Sequence, residues 1–157
     1  MRVLNLGCGS DFEGDVRVDF RKTWATTHVF DVEKAIFFDS NYFDRIISKN
    51  LLEHLRNVGF FLDECFRVLK PNGTIEIITD NASTLRYYLF GTHTGRYEKK
   101  HEGDHHYCIF TKSHLQNHFE KAGFKNIKVE YVETDTVGKW LDLLTFQKPR
   151  LEVTATK

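Results

Sequence analysis

The chain has 157 residues, 41% of them apolar, with 22 basic and 22 acidic side chains and therefore no formal net charge. That length predicts one domain with a real core, and the charge balance argues against a general electrostatic grip on nucleic acid. Three cysteines without paired spacing predict free thiols, and the chain runs straight into a strand with neither a signal peptide nor a membrane-spanning run, so a cytoplasmic setting is expected.

Short apolar runs at 2–6, 16–20 and 28–30 read as strands, and Phe43-Asp44-Arg45-Ile46-Ile47-Ser48 as another. The clearest helix spans 57–69. There Val58, Phe61, Leu62, Cys65, Phe66 and Leu69 recur at three- and four-residue spacing, and Asn57 can cap the first turn. Lys70-Pro71-Asn72-Gly73 is expected to stop that helix and turn the chain into a strand over 74–79. A second helix is predicted over 111–122, capped by Thr111 and stopped by Gly123, with Leu115, Phe119 and Ala122 on one face. Ile127, Val129 and Tyr131 alternate with Lys128, Glu130 and Val132 in a further strand, and 151–156, after the break at Pro149, form the last. Strands interleaved with helices predict an α/β sheet. Residues 7–15 are too few for the roughly dozen that a parallel crossover usually takes, so a loop or single turn is expected there instead of a helix.

The most informative stretch is Arg2-Val3-Leu4-Asn5-Leu6-Gly7-Cys8-Gly9. A buried strand that runs into Gly-x-Gly lets backbone approach a nucleotide-like ligand closely. Phe12 stands where the third glycine of a dinucleotide fingerprint would be. Asp19 ends the next apolar run far sooner than the roughly 20 residues expected in a dinucleotide fold. Both features favour an adenosine-type site over a pyrophosphate site.

Several pieces then stand in a telling order: Leu4-Asn5-Leu6-Gly7-Cys8-Gly9, Asp19, Asp31, Phe43-Asp44-Arg45-Ile46-Ile47 with Leu52-Glu53-His54-Leu55, Val68-Leu69-Lys70-Pro71-Asn72-Gly73, Phe110-Thr111 and Ala122-Gly123-Phe124. Over roughly residues 2–133 this set resembles the class I S-adenosylmethionine-dependent methyltransferases, in particular their small type-11-like branch. The resemblance implies one Rossmann-like α/β domain over 1–157, with a seven-stranded, mostly parallel sheet and one antiparallel strand near the C-terminus. This chain would be a minimal version with a short first crossover. The implied cofactor is S-adenosylmethionine, and the implied cofactor residues are Leu6, Gly7, Cys8, Gly9, Asp19, Phe20, Asp31, Val32, Asn50 and Leu51. By that resemblance the two glycines admit the methionine and ribose portions, and Asp19 accepts from the ribose hydroxyls. Asp31 matches the position that contacts the adenine amino group, while Asn50 and Leu51 line the methionine end. The chain departs from the family in carrying Asn5 where many relatives carry Asp, and in starting at the first strand without the helices that often cover the substrate.

Plainer readings stand beside these. Gly7 and Gly9 could simply make a tight turn, and Asp19 and Asp31 could be a strand-end and a loop carboxylate. Cys8 reads as a small residue packed beside the cofactor, and Asp44 as a local turn or cap residue. His54 follows the fourth strand, where it could act as a general base or orient the nucleophile, or sit in a polar network at a helix start. The segment 84–108 is expected to be a substrate-side loop, with Tyr87, Arg96, His105 and His106 as candidate substrate residues, and its basic stretch from Arg96 to His101 suits an anionic group. His101, His105, His106 and Cys108 match no closed zinc spacing, so no metal is expected. No Asp/Asn-Pro-Pro-Tyr motif follows the fourth strand, which argues against amino-group methylation of nucleic-acid bases by the common route, and the neutral charge and small size favour a small hydroxyl, carboxyl or amine acceptor. The alternatives are a non-catalytic S-adenosylmethionine-binding subunit, its substrate side closed by a protein partner or a second copy, and a nicotinamide- or nucleotide-binding protein, against which the missing third glycine counts.

Overall fold

A computed structural model describes residues 1–83, 105–132 and 150–157. Its strands are β1 (Val3–Leu6), β2 (Val16–Asp19), β3 (His28–Val29), β4 (Phe43–Lys49), β5 (Leu69–Asp80), β6 (Lys125–Val132) and β7 (Arg150–Thr156). They form one seven-stranded sheet in the order β3-β2-β1-β4-β5-β7-β6. β7 is antiparallel to both of its neighbours, and every other pair is parallel. This is the expected α/β sheet with one antiparallel strand. The chain winds outward from β1 to β3 and then restarts on the other side of β1 at β4. The carboxyl ends of β1 and β4 therefore diverge at a topological switch point, where open α/β sheets form a crevice.

Central position explains the burial of β1, all four residues of which are buried. The short link to β2 carries no helix. Gly7 and Cys8 both donate backbone N–H groups to the Val18 carbonyl, at 2.9 and 3.0 Å, and Asp15 N–H bonds the Val3 carbonyl at 3.0 Å. The Asp15 carboxylate accepts from Val3 N–H at 2.8 Å, and the buried Asn5 amide donates to the Glu13 carbonyl at 3.1 Å. Asn5 thus holds the loop against the strand, a task an aspartate could not perform because it lacks the N–H donor.

α1 (Val58–Val68) starts as expected: the Asn57 side chain accepts from Phe60 N–H at 3.1 Å. Its buried face carries Val58, Phe61, Leu62, Cys65 and Val68. It ends a residue earlier than expected, because Leu69 is already extended and opens β5. Carbonyls at that end are satisfied by Asn41 and Tyr42 N–H groups, and the Lys157 ammonium donates to the Leu69 carbonyl at 2.7 Å.

The turn expected at 70–73 is instead a bulged entry into β5. Phe43 pairs with Leu69 and Arg45 with Thr74, so the intervening residues loop out of register. Asn72 there is left-handed at φ 63°, and a Cβ on Gly73 would lie 2.8 Å from the Lys70 carbonyl oxygen. Asp44, expected as a turn residue, lies inside β4 and ties down the same corner, accepting from Arg2 N–H and from Lys70 Nζ.

α2 (Lys112–Lys121) is capped by Thr111, buries Leu115 and Phe119, and is followed by Gly123 at φ 93°. Phe119 and Phe124 pack together beside Phe66 of α1, joining both helices to one apolar core over the sheet. Among the described residues no helix is long and apolar enough to cross a membrane. Pro149 lies outside the described residues.

Candidate functional site

A cleft of about 230 Å³ opens at the carboxyl ends of β1, β2 and β4. Gly7, Asp19, Phe20, Asp31, Val32 and Leu51 line it, six of the ten residues expected from the sequence to hold a cofactor. Phe30, Glu33, His54, Leu55, Arg56 and Tyr107 complete the wall.

The glycine turn and Asp19 form one unit. Gly7 has φ 71°, and a Cβ there would stand 3.0 Å from the Leu51 Cβ, so both backbone conformation and packing require glycine. Gly9 has φ 52°, yet a Cβ there would meet nothing within 4 Å, so this edge of the turn is open. Its N–H donates to Asp19 Oδ2 at 2.9 Å, and Arg21 N–H donates to Asp19 Oδ1 at 2.9 Å. The carboxylate is thereby fixed in orientation at the end of β2. Two oxygens can accept about four hydrogen bonds, which leaves capacity for a vicinal pair of hydroxyls.

Leu6, Cys8, Gly9 and Asn50 are not on the cleft wall itself. Leu6 is fully buried, and its carbonyl accepts the Ser48 hydroxyl at 3.0 Å. Cys8 is 5% exposed, and burial, then the Asp19 carboxylate, pushes its thiol upward. It remains a protonated packing residue rather than a nucleophile. Asn50 takes φ 54° and donates N–H to the Ile78 carbonyl at 2.8 Å, so it shapes the exit from β4.

Asp31 is a loop carboxylate that also lines the cleft. Its Oδ1 accepts from Glu33 N–H at 3.0 Å in a local turn, and it is also on the cleft wall. Glu33 in turn accepts from Arg56 N–H, and Arg56 lies over the Tyr107 ring at 4.7 Å while donating to its hydroxyl at 3.0 Å. This chain of contacts holds the aromatic rim of the cleft.

His54 sits in the short 3₁₀ turn Leu52–His54 that follows β4. The segment carrying His105 and His106 is tied to that turn: Tyr107 and Cys108 N–H both bond the Glu53 carbonyl, at 2.8 and 3.1 Å. His54 Nδ1 lies 3.1 Å from the His105 carbonyl oxygen, and its ring meets that of His106 edge-on at 4.6 Å. His106 Nδ1 is 3.4 Å from Asp80 Oδ2. Glu53 is 2% exposed and accepts from the Thr79 hydroxyl at 2.7 Å, and burial pushes its carboxyl upward. His54 therefore lines the cleft and at the same time belongs to a polar network. Tyr87 and Arg96 lie outside the described residues. Phe30, Glu33, Leu55 and Arg56 were not anticipated. Their only signal in the sequence is adjacency to Asp31 and His54.

Residues 1–129 match the family model described as a methyltransferase domain. The chain is 34% identical over 109 residues to the ubiquinone biosynthesis O-methyltransferase of Nitrobacter winogradskyi, covering 68% of this chain and 38% of that protein. It spans less than half the length of the curated relatives it matches. Among solved structures, a Thermotoga maritima S-adenosylmethionine-dependent methyltransferase, described as a possible histamine N-methyltransferase, superposes with a TM-score of 0.75 at 15% identity, covering 99% of this chain and 82% of that one. A Haemonchus contortus phosphoethanolamine N-methyltransferase, solved with S-adenosylhomocysteine, superposes with a TM-score of 0.72 at 16% identity, covering 100% of this chain and 49% of that one. At such identities these neighbours speak to the fold.

Proposed function

The chain belongs to the methyltransferase-domain family, and from that premise we propose that its cleft holds S-adenosylmethionine and that the protein methylates an oxygen of a small-molecule acceptor. The observation that carries this reading is the Asp19 carboxylate, pinned by Gly9 and Arg21 N–H beside an open glycine edge. The residues present fit the cofactor. Asp19 offers paired acceptors for ribose hydroxyls, Asp31 and Glu33 add anionic character for a cationic ligand, and Phe20, Phe30, Val32 and Leu51 supply apolar walls for a flat ring.

When bound, the sulfonium supplies an already activated methyl group. The chain's own task is then to place the acceptor in line and exclude water. His54 is the polar side chain best placed to meet the acceptor. With Nδ1–H given to the His105 carbonyl, Nε2 bears the lone pair, able to take up a proton or hold a polarising group. Oxygen as the acceptor atom is supported by the curated relative named as an O-methyltransferase.

Calorimetric titration of the purified chain with S-adenosylhomocysteine, and separately with S-adenosylmethionine, tests the cofactor. One-to-one micromolar binding is expected. Absence of heat with both, confirmed by an unchanged melting temperature, would refute it. Radiolabelled methyl transfer to a panel of phenols, alcohols and amines tests the acceptor, with oxygen compounds expected to be labelled.

A further inference from the structure

We propose that Glu53, His54 and His106 form a binding site at the edge of the cleft for a divalent transition-metal ion of the zinc and cobalt type. One candidate ligand atom from each of the three lies within 4.8 Å of the others. Bonds of about 2.0–2.2 Å place ligands of one ion up to about 4.2 Å apart, so small inward side-chain rotations complete the site.

The outer contacts carry the argument further than proximity does. Metal-bound imidazoles almost always give their other N–H to a carbonyl or carboxylate, which sets the tautomer and the ring orientation. His54 has that partner, the His105 carbonyl oxygen 3.1 Å from Nδ1, and the Asp80 carboxylate stands 3.4 Å from His106 Nδ1, within a small side-chain adjustment of the same role. With the proton on Nδ1, each ring carries its lone pair on Nε2. Glu53 is oriented too, by the Thr79 hydroxyl at 2.7 Å. It is almost completely buried, and among the described residues no lysine or arginine pairs with it. A bound cation would supply the missing countercharge. The backbone holds the two halves of the site together through Glu53 O, which accepts from Tyr107 and Cys108 N–H.

Two imidazoles and one carboxylate suit zinc, cobalt or iron better than the all-oxygen sets that magnesium and calcium prefer. Three protein ligands leave positions open, as in catalytic rather than structural sites. The sequence spacing pointed away from a metal because it joined His101, His105, His106 and Cys108 of one segment, whereas this set unites His106 with the turn after β4. One consequence rests on the methyltransferase reading: the open position would take the acceptor's oxygen, which selects alcohols and phenols. The coordinated hydroxyl would lose its proton to solvent, its oxygen would bond the methyl carbon, and the carbon–sulfur electron pair would stay with sulfur.

The test is titration of the metal-stripped full chain with Co²⁺ in the absence of S-adenosylmethionine, read by ligand-field absorption and by displacement with Zn²⁺. One ion per chain is expected. His54→Ala, His106→Ala and Glu53→Gln should each weaken binding by about 100-fold or more, and Asp80→Asn by about 10–100-fold through His106. His114→Ala, on the exposed face of α2, should leave it unchanged. His106→Ala changes a side chain outside the main core, so it keeps the test sound if Glu53→Gln fails to fold. No stoichiometric Co²⁺ binding by the parent, or unaltered binding by folded His106→Ala, overturns the site. Titration of the same sample with S-adenosylhomocysteine separates the two readings: cofactor binding without Co²⁺ binding removes the metal alone.

Discussion

Replacing Asp19 by alanine probes the proposed cofactor cleft at its most constrained side chain. In the folded chain its two oxygens accept Gly9 and Arg21 N–H, each at 2.9 Å. If the remaining acceptor capacity serves ribose hydroxyls, truncation removes hydrogen bonds to a charged group, worth about 1.5–3 kcal/mol. That predicts a Kd for S-adenosylhomocysteine raised by about 10- to 150-fold. The two backbone donors lose their partner as well, but both are near enough to solvent for water to replace it. Their combined cost is about 1–3 kcal/mol, a fall in Tm of several degrees for a chain of this size. Asp19→Asn keeps one oxygen acceptor and should fall between parent and alanine in both measurements. Calorimetry gives the affinity and thermal melts the stability. A folded Asp19→Ala chain whose Kd lies within twofold of the parent would refute the ribose role and leave Asp19 a purely structural clamp on the glycine turn.

Three further outcomes follow from the geometry. Gly7→Ala and Gly9→Ala each force a non-glycine residue into left-handed space, at about 1–2 kcal/mol. Gly7→Ala adds a clash with Leu51, whereas the Gly9 Cβ meets no protein atom. Melts should therefore show Gly7→Ala as clearly the less stable, while titration shows Gly9→Ala losing cofactor affinity; equal Tm losses would count against the open edge. Glu64 accepts from Arg67 Nε at 2.6 Å and from Ile36 N–H at 2.9 Å, and these contacts, Arg67 first, hold its carboxyl below the ordinary 4.5. Its folded value is depressed, so its contribution to stability is present above pH 4.5 and is lost as pH falls through the folded value. The Tm gap between the parent and Glu64→Gln should narrow on acidification over that window, and a gap constant with pH would oppose the pairing. Gly73→Ala should cost about 1–3 kcal/mol in denaturant unfolding, because its Cβ would press on the Lys70 carbonyl at 2.8 Å.

Much of the fold was legible because its signals are local. The spacing of Val58, Phe61, Leu62 and Cys65 encodes α1, and Asn57 caps it, because a helix is built from contacts three and four residues apart. The glycine turn and Asp19 were legible as a pair because only ten residues separate Gly9 from its acceptor and β2 lies directly beside β1. The bulge at Lys70 to Gly73 was read as a plain turn, since Gly and Pro announce a break in regular structure but not the strand pairing that absorbs it. By itself, then, the sequence determined most of the elements, the short first link and the residues that shape the glycine turn. Tertiary structure alone decided the rest. It decided the register of β7 between β5 and β6, and the Arg56–Tyr107 rim. It also brought His54 within 3.1 Å of a carbonyl 51 residues away, beside Glu53 and His106. Such groupings depend on how packed segments meet across the sheet, and no periodicity along the chain encodes that meeting.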